Sequence, residues 1–323
     1  MNNWVRFCTR TSATANAVSA RVRGSLRSCA SIITLAVGAG IPLAAQPITV
    51  RDGAGQTVTI AVPAKRVAAL ISSSVDIIVA LGAADRIAAR TRYDTATAVA
   101  RAVNVGGGLD PSVETLLAAR PDLCVIWKGQ ATSAVVNRMR AAGVPVYLVE
   151  TKDTSALFAT VRDLGALLGL TPHATRAADG LRAELRAAQR AAGDAPRAKA
   201  VYVISRSPVI ISAAKTFIAE LVSVAGADNP FTDLPGEFPS LSLEAFLARD
   251  HDVLIVGRRD DGGSQLAQLR ETAGWRDLRA VRTGAVIEVD GEQWGRPTLY
   301  VGVLVRALAA DLRRLRPVLR PRR

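Results

Sequence analysis

Two α/β lobes, each with a parallel sheet and joined by one long helix, are the fold class that three observations predict. First, Ser112–Trp127, SVETLLAARPDLCVIW, returns without a gap as Ser242–Gly257, SLEAFLARDHDVLIVG. Glu114 matches Glu244, Leu117 matches Leu247, Ala118 matches Ala248 and Asp122 matches Asp252. One helix–strand unit used twice indicates two similar lobes facing each other; a solenoid needs at least three repeats. Second, short apolar strands alternate with helical stretches in both halves, which argues parallel sheets covered on both faces. Third, TPHATRAADGLRAELRAAQRAAGD lies between the two copies, opens on Thr171–Pro172 and stops at Gly193. Its Ala, Arg and Leu content predicts one helix of about 30 Å. A rigid helix there joins the lobes and restricts their relative motion.

The elements follow in order. ITVRDGAGQTVTIAVP alternates and turns at GAGQ, which predicts a small hairpin. RVAAL reads as a buried strand, and SSSVDIIVALG as a helix with a Ser cap and Gly82 at its end. RIAARTRY returns to strand, and NVGGGL is a loop. DPSVETLLAAR is a helix with Asp110 as cap and Pro111 in its first turn. Then come strand DLCVIW, helix ATSAVVNRMRAAG, strand VPVYLVE and a helix capped by Asp153. After the linking helix, KAVYVIS and PVIIS are strands, TFIAELVSVAG and LSLEAFLAR helices, DVLIVG and AVIEVD strands, and RPTLYVGVLVRALAADLRRL the closing helix. The expected organisation is a signal segment at 1–45, an N-terminal lobe at 46–170, the linking helix at 171–193, a C-terminal lobe at 194–316 and a basic tail at 317–323.

The net charge of +13 raises nucleic acid as a partner, but its placement argues against one. Arg6, Arg10, Arg21, Arg23 and Arg27 lie in the first 45 residues, which hold no acid. Arg313, Arg314, Arg316, Arg320, Arg322 and Arg323 crowd the C-terminus with no interleaved aromatic, and no nucleic-acid motif is present. The N-terminus has the order of an export signal: basic region, the apolar stretch ASIITLAVGAGIPLAA, then small residues suited to cleavage after Ala45. That predicts an exported protein. The alternative is an uncleaved anchor, since Ser28–Val50 is uncharged and long enough to span a bilayer. Cys8 and Cys29 leave with the signal; Cys124, inside LCVIW, reads as an inert core thiol.

Catalytic chemistry is not legible. Neither His173 nor His251 has a His or Cys at ligand spacing, so no metal site of the protein's own is expected. No GxxxxGK[ST], HExxH or GxSxG occurs, and no nucleophile–base pair is evident. The expectation is not an enzyme, with no resident cofactor.

Six segments then resemble one family in its own order: AKRVAALISSSVDIIVALGAADRIAARTRYDT, VGGGLDPSVETLLAARPDLCVIW, AAGVPVYLVE, TFIAELVSVAGADNPFTDLP, SLSLEAFLARDHDVLIV and WRDLRAVRTGAVIEVDGEQWGRPTLYVGVLVRALAADL. They are similar to the periplasmic binding proteins of ABC importers for cobalamin and ferric siderophores, over about Ile48–Leu315. The resemblance implies two Rossmann-like lobes bridged by one helix, a chelatase-like, helical-backbone solute-binding fold, with the ligand in the cleft. It implies that Glu114 and Glu244, one per lobe, pair with arginines of the membrane permease, which works with an ATPase. A first-turn carboxylate also stabilises its own helix by about 0.3–1 kcal/mol. The expected ligand is a small-molecule metal chelate containing cobalt or iron, and the expected state a monomer. Cleft candidates are Ser73 within Ser72–Ser74, Tyr93, Gly107, Trp127, Lys128, Arg206, Phe238, Trp294 and Arg296, all at strand exits or in the loops after them. Flat aromatic walls suit a partly apolar macrocycle. RTRYD and VIWKGQ look more like the cobalamin receptors. Arg92, Arg206 and Arg296 keep an anionic ferric siderophore open, and Tyr93 keeps haem open. Outside the class stand a chelatase-like enzyme, which the export signal and paired Glu argue against, and a membrane-anchored sensor without a permease.

Overall fold

The computed structural model describes residues 46–150, 152–193, 196–249 and 251–319; the expected signal segment lies outside them. Ile48–Arg51 and Thr57–Ile60 form the antiparallel hairpin, and Asp52 Oδ1 holds its turn by accepting from the Ala54 and Gln56 N–H groups at 2.9 and 2.8 Å. The N-terminal lobe is a five-stranded sheet, parallel throughout. Its order is Val103–Asn104, Ile87–Arg90, Val67–Ala69, Leu123–Trp127, Val146–Val149. The central residues of these strands, Ala68, Cys124, Val125, Ile126 and Leu148, have no solvent contact. Their near-continuous apolar runs are what a sheet covered on both faces requires.

The C-terminal lobe departs from the all-parallel expectation. Ala198–Arg206, Val253–Gly257 and Val286–Val289 are parallel neighbours, and Ala227–Asp228 pairs parallel with the start of the first of them. Val209–Ile211, however, folds back antiparallel on Val203–Arg206, and Ser240–Leu241 adds antiparallel beyond it. The two residues Ser207–Pro208 leave room only for a hairpin; a parallel return needs a crossover of a dozen residues or more.

The repeat has a structural meaning. In each copy the shared Asp clamps the start of its lobe's first strand. Asp122 accepts from the Lys65 and Arg66 N–H groups at 2.7 and 2.9 Å, and Asp252 accepts from the Lys199 N–H at 3.0 Å. The Asp N–H in turn donates to Arg66 O or Lys199 O, at 2.8 Å in both. Leu116 and its counterpart Phe246 are fully buried anchors of the two short helices Val113–Ala118 and Leu243–Leu247.

The linking helix runs Thr171–Ala192 and buries Ala174, Ala178, Leu181, Ala188 and Ala192 along one stripe. Thr154–Leu167 packs against its first half and the closing helix, Val301–Leu319, against its second. Both approaches are close. A Cβ on Gly165 would stand 2.3 Å from the Ala174 Cβ, and one on Gly302 would stand 2.8 Å from the Glu184 Cβ. The arginines that crowd the C-terminus begin inside the closing helix, ahead of the expected basic tail: Arg313 donates to Ala191 O at 3.3 Å and Arg316 to Ala192 O at 2.6 Å. These cations satisfy the orphan carbonyls at the end of the linking helix.

Two cap assignments also change. The helix expected to start at Asp110 starts at Val113, capped by Ser112, whose Oγ accepts from the Thr115 N–H at 3.3 Å. The helix Ser72–Ala80 has Ile71 at its cap position and no side-chain cap at all.

Candidate functional site

In an open α/β sheet, ligands bind at the carboxyl ends of strands where the chain switches from building one side of the sheet to the other. The N-terminal lobe switches between Val67–Ala69 and Leu123–Trp127, and the C-terminal lobe between Ala198–Arg206 and Val253–Gly257. A cleft of about 1130 Å³ is lined from both places. Ile71–Ser73 and Trp127–Gly129 come from the first switch; Tyr202–Ile204 and Gly257 come from the second.

The walls are largely apolar. Trp127, Ile204 and Phe238 are 44 %, 47 % and 49 % exposed, unusually open for such side chains. Trp127 has a local reason for its pose. A Cβ on Gly129 would stand 2.4 Å from two atoms of the indole, so glycine alone lets the ring lie over the backbone of the following turn. Trp294 forms part of the wall but is buried at 2 %, its ring 6.0 Å from that of Tyr202. It supports the floor more than it offers a free face. Burial, then the nearby Asp290 charge, pushes the Tyr202 phenol up to about 12.

The polar groups are mostly committed. Lys128 pairs with Glu150. Arg296 pairs with Glu292 and reaches Asp76 of the other lobe at 3.6 Å. Burial raises the Asp76 carboxyl, and Arg296 opposes that rise. A second bridge between the lobes stands beside Lys152: the Glu220 carboxylate accepts from the Thr154 N–H at 2.7 Å and from its hydroxyl at 2.5 Å. Glu220 thus helps cap a helix belonging to the other lobe.

Of the residues expected in the cleft, Ser73, Trp127, Lys128, Phe238, Trp294 and Arg296 line it. Tyr93, Gly107 and Arg206 do not. Tyr93 stands on the surface with the Arg92 guanidinium 5.7 Å from its ring centre. Gly107 is buried under the Arg92–Asp110 ion pair, where a Cβ would stand 2.0 Å from Asp110 Oδ1. Arg206 donates to Gln268 Oε1 at 2.8 Å within its own lobe. Among the lining residues that sequence reasoning missed are Gly129, Glu150, Lys152, Tyr202, Ile204, Thr216–Ile218 and Glu237. Ile204 had a signal, since strict alternation in YVIS turns one apolar residue outward.

Glu114 and Glu244 are both exposed, in the first turns of Val113–Ala118 and Leu243–Leu247. Each helix is capped by a serine, Ser112 or Ser242, so the two sites are built alike. Glu244 is held below the usual carboxylate range by its own backbone N–H and then by the Ser242 hydroxyl. Neither Glu has an ion-pair partner among the described residues.

Comparison with known proteins agrees with this architecture. The chain is 25 % identical over 266 residues to an uncharacterised ABC transporter substrate-binding lipoprotein of Bacillus subtilis, covering 80 % of this chain and 83 % of that one. It is 24 % identical over 241 residues to a vitamin B12-binding protein of Vibrio parahaemolyticus, covering 73 % and 85 %. The fold matches the periplasmic heme-binding protein of Roseiflexus with a TM-score of 0.68 and 23 % identity, over 79 % of this chain and 99 % of that one. These relatives are substrate-binding proteins, not enzymes. No helix among the described residues is long and apolar enough to cross a membrane. The profile of one family spans residues 67–292, from the first strand of the N-terminal sheet into the short helix Gly291–Trp294. By that span, and by two lobes set on one helix around a common cleft, this chain belongs to the periplasmic binding protein family.

Proposed function

We propose that the protein is an exported solute receptor that captures a corrinoid in the cleft and hands it to an ABC permease. The cleft itself carries the reading. Its volume exceeds the ~300–1,000 Å³ of pockets for drug-sized ligands, and Trp127 and Phe238 offer open aromatic faces to a broad, partly apolar ring. Vitamin B12-binding relatives support the choice of ligand. Haem is the second reading, favoured by the fold match to a heme-binding protein. The side chains on the walls weigh against it. The lining includes no His, Tyr93 stands outside, and Tyr202 is the lining phenol whose ionisation is pushed up to about 12. A phenolate for ferric iron is therefore costly there, whereas a corrinoid brings its own axial ligands.

The test is titration of the purified protein, following tryptophan fluorescence, with cyanocobalamin, haem and a ferric hydroxamate in parallel. Saturable quenching by cyanocobalamin, weakened by about 1–3 kcal/mol in Trp127→Ala, is the expected result. Tight binding of a ferric siderophore or of haem with no response to cyanocobalamin would replace the corrinoid.

A further inference from the structure

The sequence places three serines at the start of the helix Ser72–Ala80, yet none of them caps it. The cap position belongs to Ile71, which has no side-chain acceptor, and the first turn holds no acid. Ser74 is spent locally: its hydroxyl donates to Ile71 O at 2.7 Å, and its N–H donates to the same oxygen at 2.9 Å. The Val75 N–H reaches Ile71 O at 3.3 Å. The Ser72 and Ser73 N–H groups precede any intrahelical acceptor. Ser73 lines the cleft and is 3 % exposed, and its Oγ has no hydrogen-bond partner among the described residues. A buried hydroxyl left unpaired is destabilising. Two backbone donors, one orphaned hydroxyl and the positive end of a nine-residue helix therefore converge on the cleft at the N-terminal switch point. The ion-forming residues on the lining, Lys128, Lys152 and Arg296 against Glu150 and Glu237, leave a positive balance.

We propose that the start of this helix, with the Ser73 hydroxyl, is a subsite for an anionic oxygen of the ligand, a carboxylate or a phosphate ester. The proposal rests on the cleft being the ligand site, but not on which chelate fills it. Helix starts hold such groups because their N–H donors and dipole act together. The ligand's oxygen fills the cap position that the sequence leaves vacant. It also gives the Ser73 hydroxyl a hydrogen-bond acceptor. The protein then selects for chelates that carry an anion at the right edge.

Inorganic phosphate is the first probe, followed through the backbone amide resonances of the full-length mature protein. Saturable shifts at Ser72 and Ser73 are expected, and Ser73→Ala should raise the half-saturating phosphate concentration about five-fold, the worth of one hydrogen bond. The same variant should melt no lower than wild type, because the hydroxyl it removes has no partner; that separates a lost subsite from a damaged fold. Phosphate shifts confined to lysines, or equal phosphate binding by Ser73→Ala, would overturn the subsite. Two pairs of chelates then identify the source of the oxygen: cyanocobalamin against dicyanocobinamide, which lacks the phosphodiester, and haem against its dimethyl ester. The pair whose affinity difference shrinks in Ser73→Ala carries the group. If none of the four binds while phosphate still saturates Ser72 and Ser73, the chelate reading falls and the subsite stands. If they bind wild type and Ser73→Ala alike and phosphate leaves both amides unmoved, the subsite falls and the chelate reading stands.

Discussion

Gly129 shows how one residue without a side chain sets the shape of the cleft. The Trp127 indole lies where a Cβ on Gly129 would be, 2.4 Å from two ring atoms. Gly129→Ala must therefore swing the indole off its seat. The expected outcome is a loss of cyanocobalamin affinity of about 1–3 kcal/mol, the range for a large side chain, with little change in melting temperature, because Trp127 is half exposed and contributes little to the core. Isothermal titration and a thermal melt on the same variant check both halves. The sequence made Trp127 and Phe238 legible as candidates, since aromatics are scarce and these stand where chains leave a strand or approach one. It could not make Gly129 legible, because its role is a distance to another residue and not a pattern. The same limit explains Tyr93, Gly107 and Arg206. Each stands near a strand exit, but the Arg92–Asp110 ion pair and Gln268 hold these positions away from the cleft lining.

At the scale of the element, the repeated helix–strand unit was legible in outline and in detail. Gapless alignment of Asp122 with Asp252 corresponds to one clamp built twice, and alignment of Leu116 with Phe246 to one anchor built twice. What alignment could not show was the hairpin at Val209–Ile211, because an apolar run after a two-residue turn pairs according to the turn and not to its own composition. The same repeat frames the proposed docking of a permease through Glu114 and Glu244. Both carboxylates are exposed on serine-capped helix starts, so neither contributes to a core. Changing both to Ala should leave ligand affinity and melting temperature nearly unchanged, while transport by the reconstituted importer falls. Transport at the wild-type rate in that double variant would leave them as helix-start carboxylates and nothing more.

Across the whole molecule, three buried acids share one direction of response to pH. Burial pushes the Cys124 thiol up to about 12 and the Tyr202 phenol up to about 12, and it raises the Tyr147 phenol as well, with Asp163 adding to that rise. Their ordinary values are 9.0 for the thiol and 10.0 for the phenols. A group whose pKa is higher when folded stabilises the fold below its ordinary value and loses that contribution as pH rises toward the folded one. Urea midpoints should therefore hold steady from pH 7 to about 9 and fall steadily above it. Over the same range Cys124 should stay unreactive to thiol reagents until the protein unfolds. The two-lobe plan was the most legible feature of all, because alternation, a repeat and one long Ala-rich helix are each patterns in the chain itself. That helix is closely packed along its length, at Ala174 by Gly165 and at Glu184 by Gly302, and its final carbonyls are held by Arg313 and Arg316. The consequence is thermodynamic: a frame that cannot fold around its guest has no large surface of its own to bury when the guest arrives. The heat-capacity change on ligand binding should then match the apolar area of ligand and cleft walls alone, and the scattering profile of the empty and filled protein should superpose.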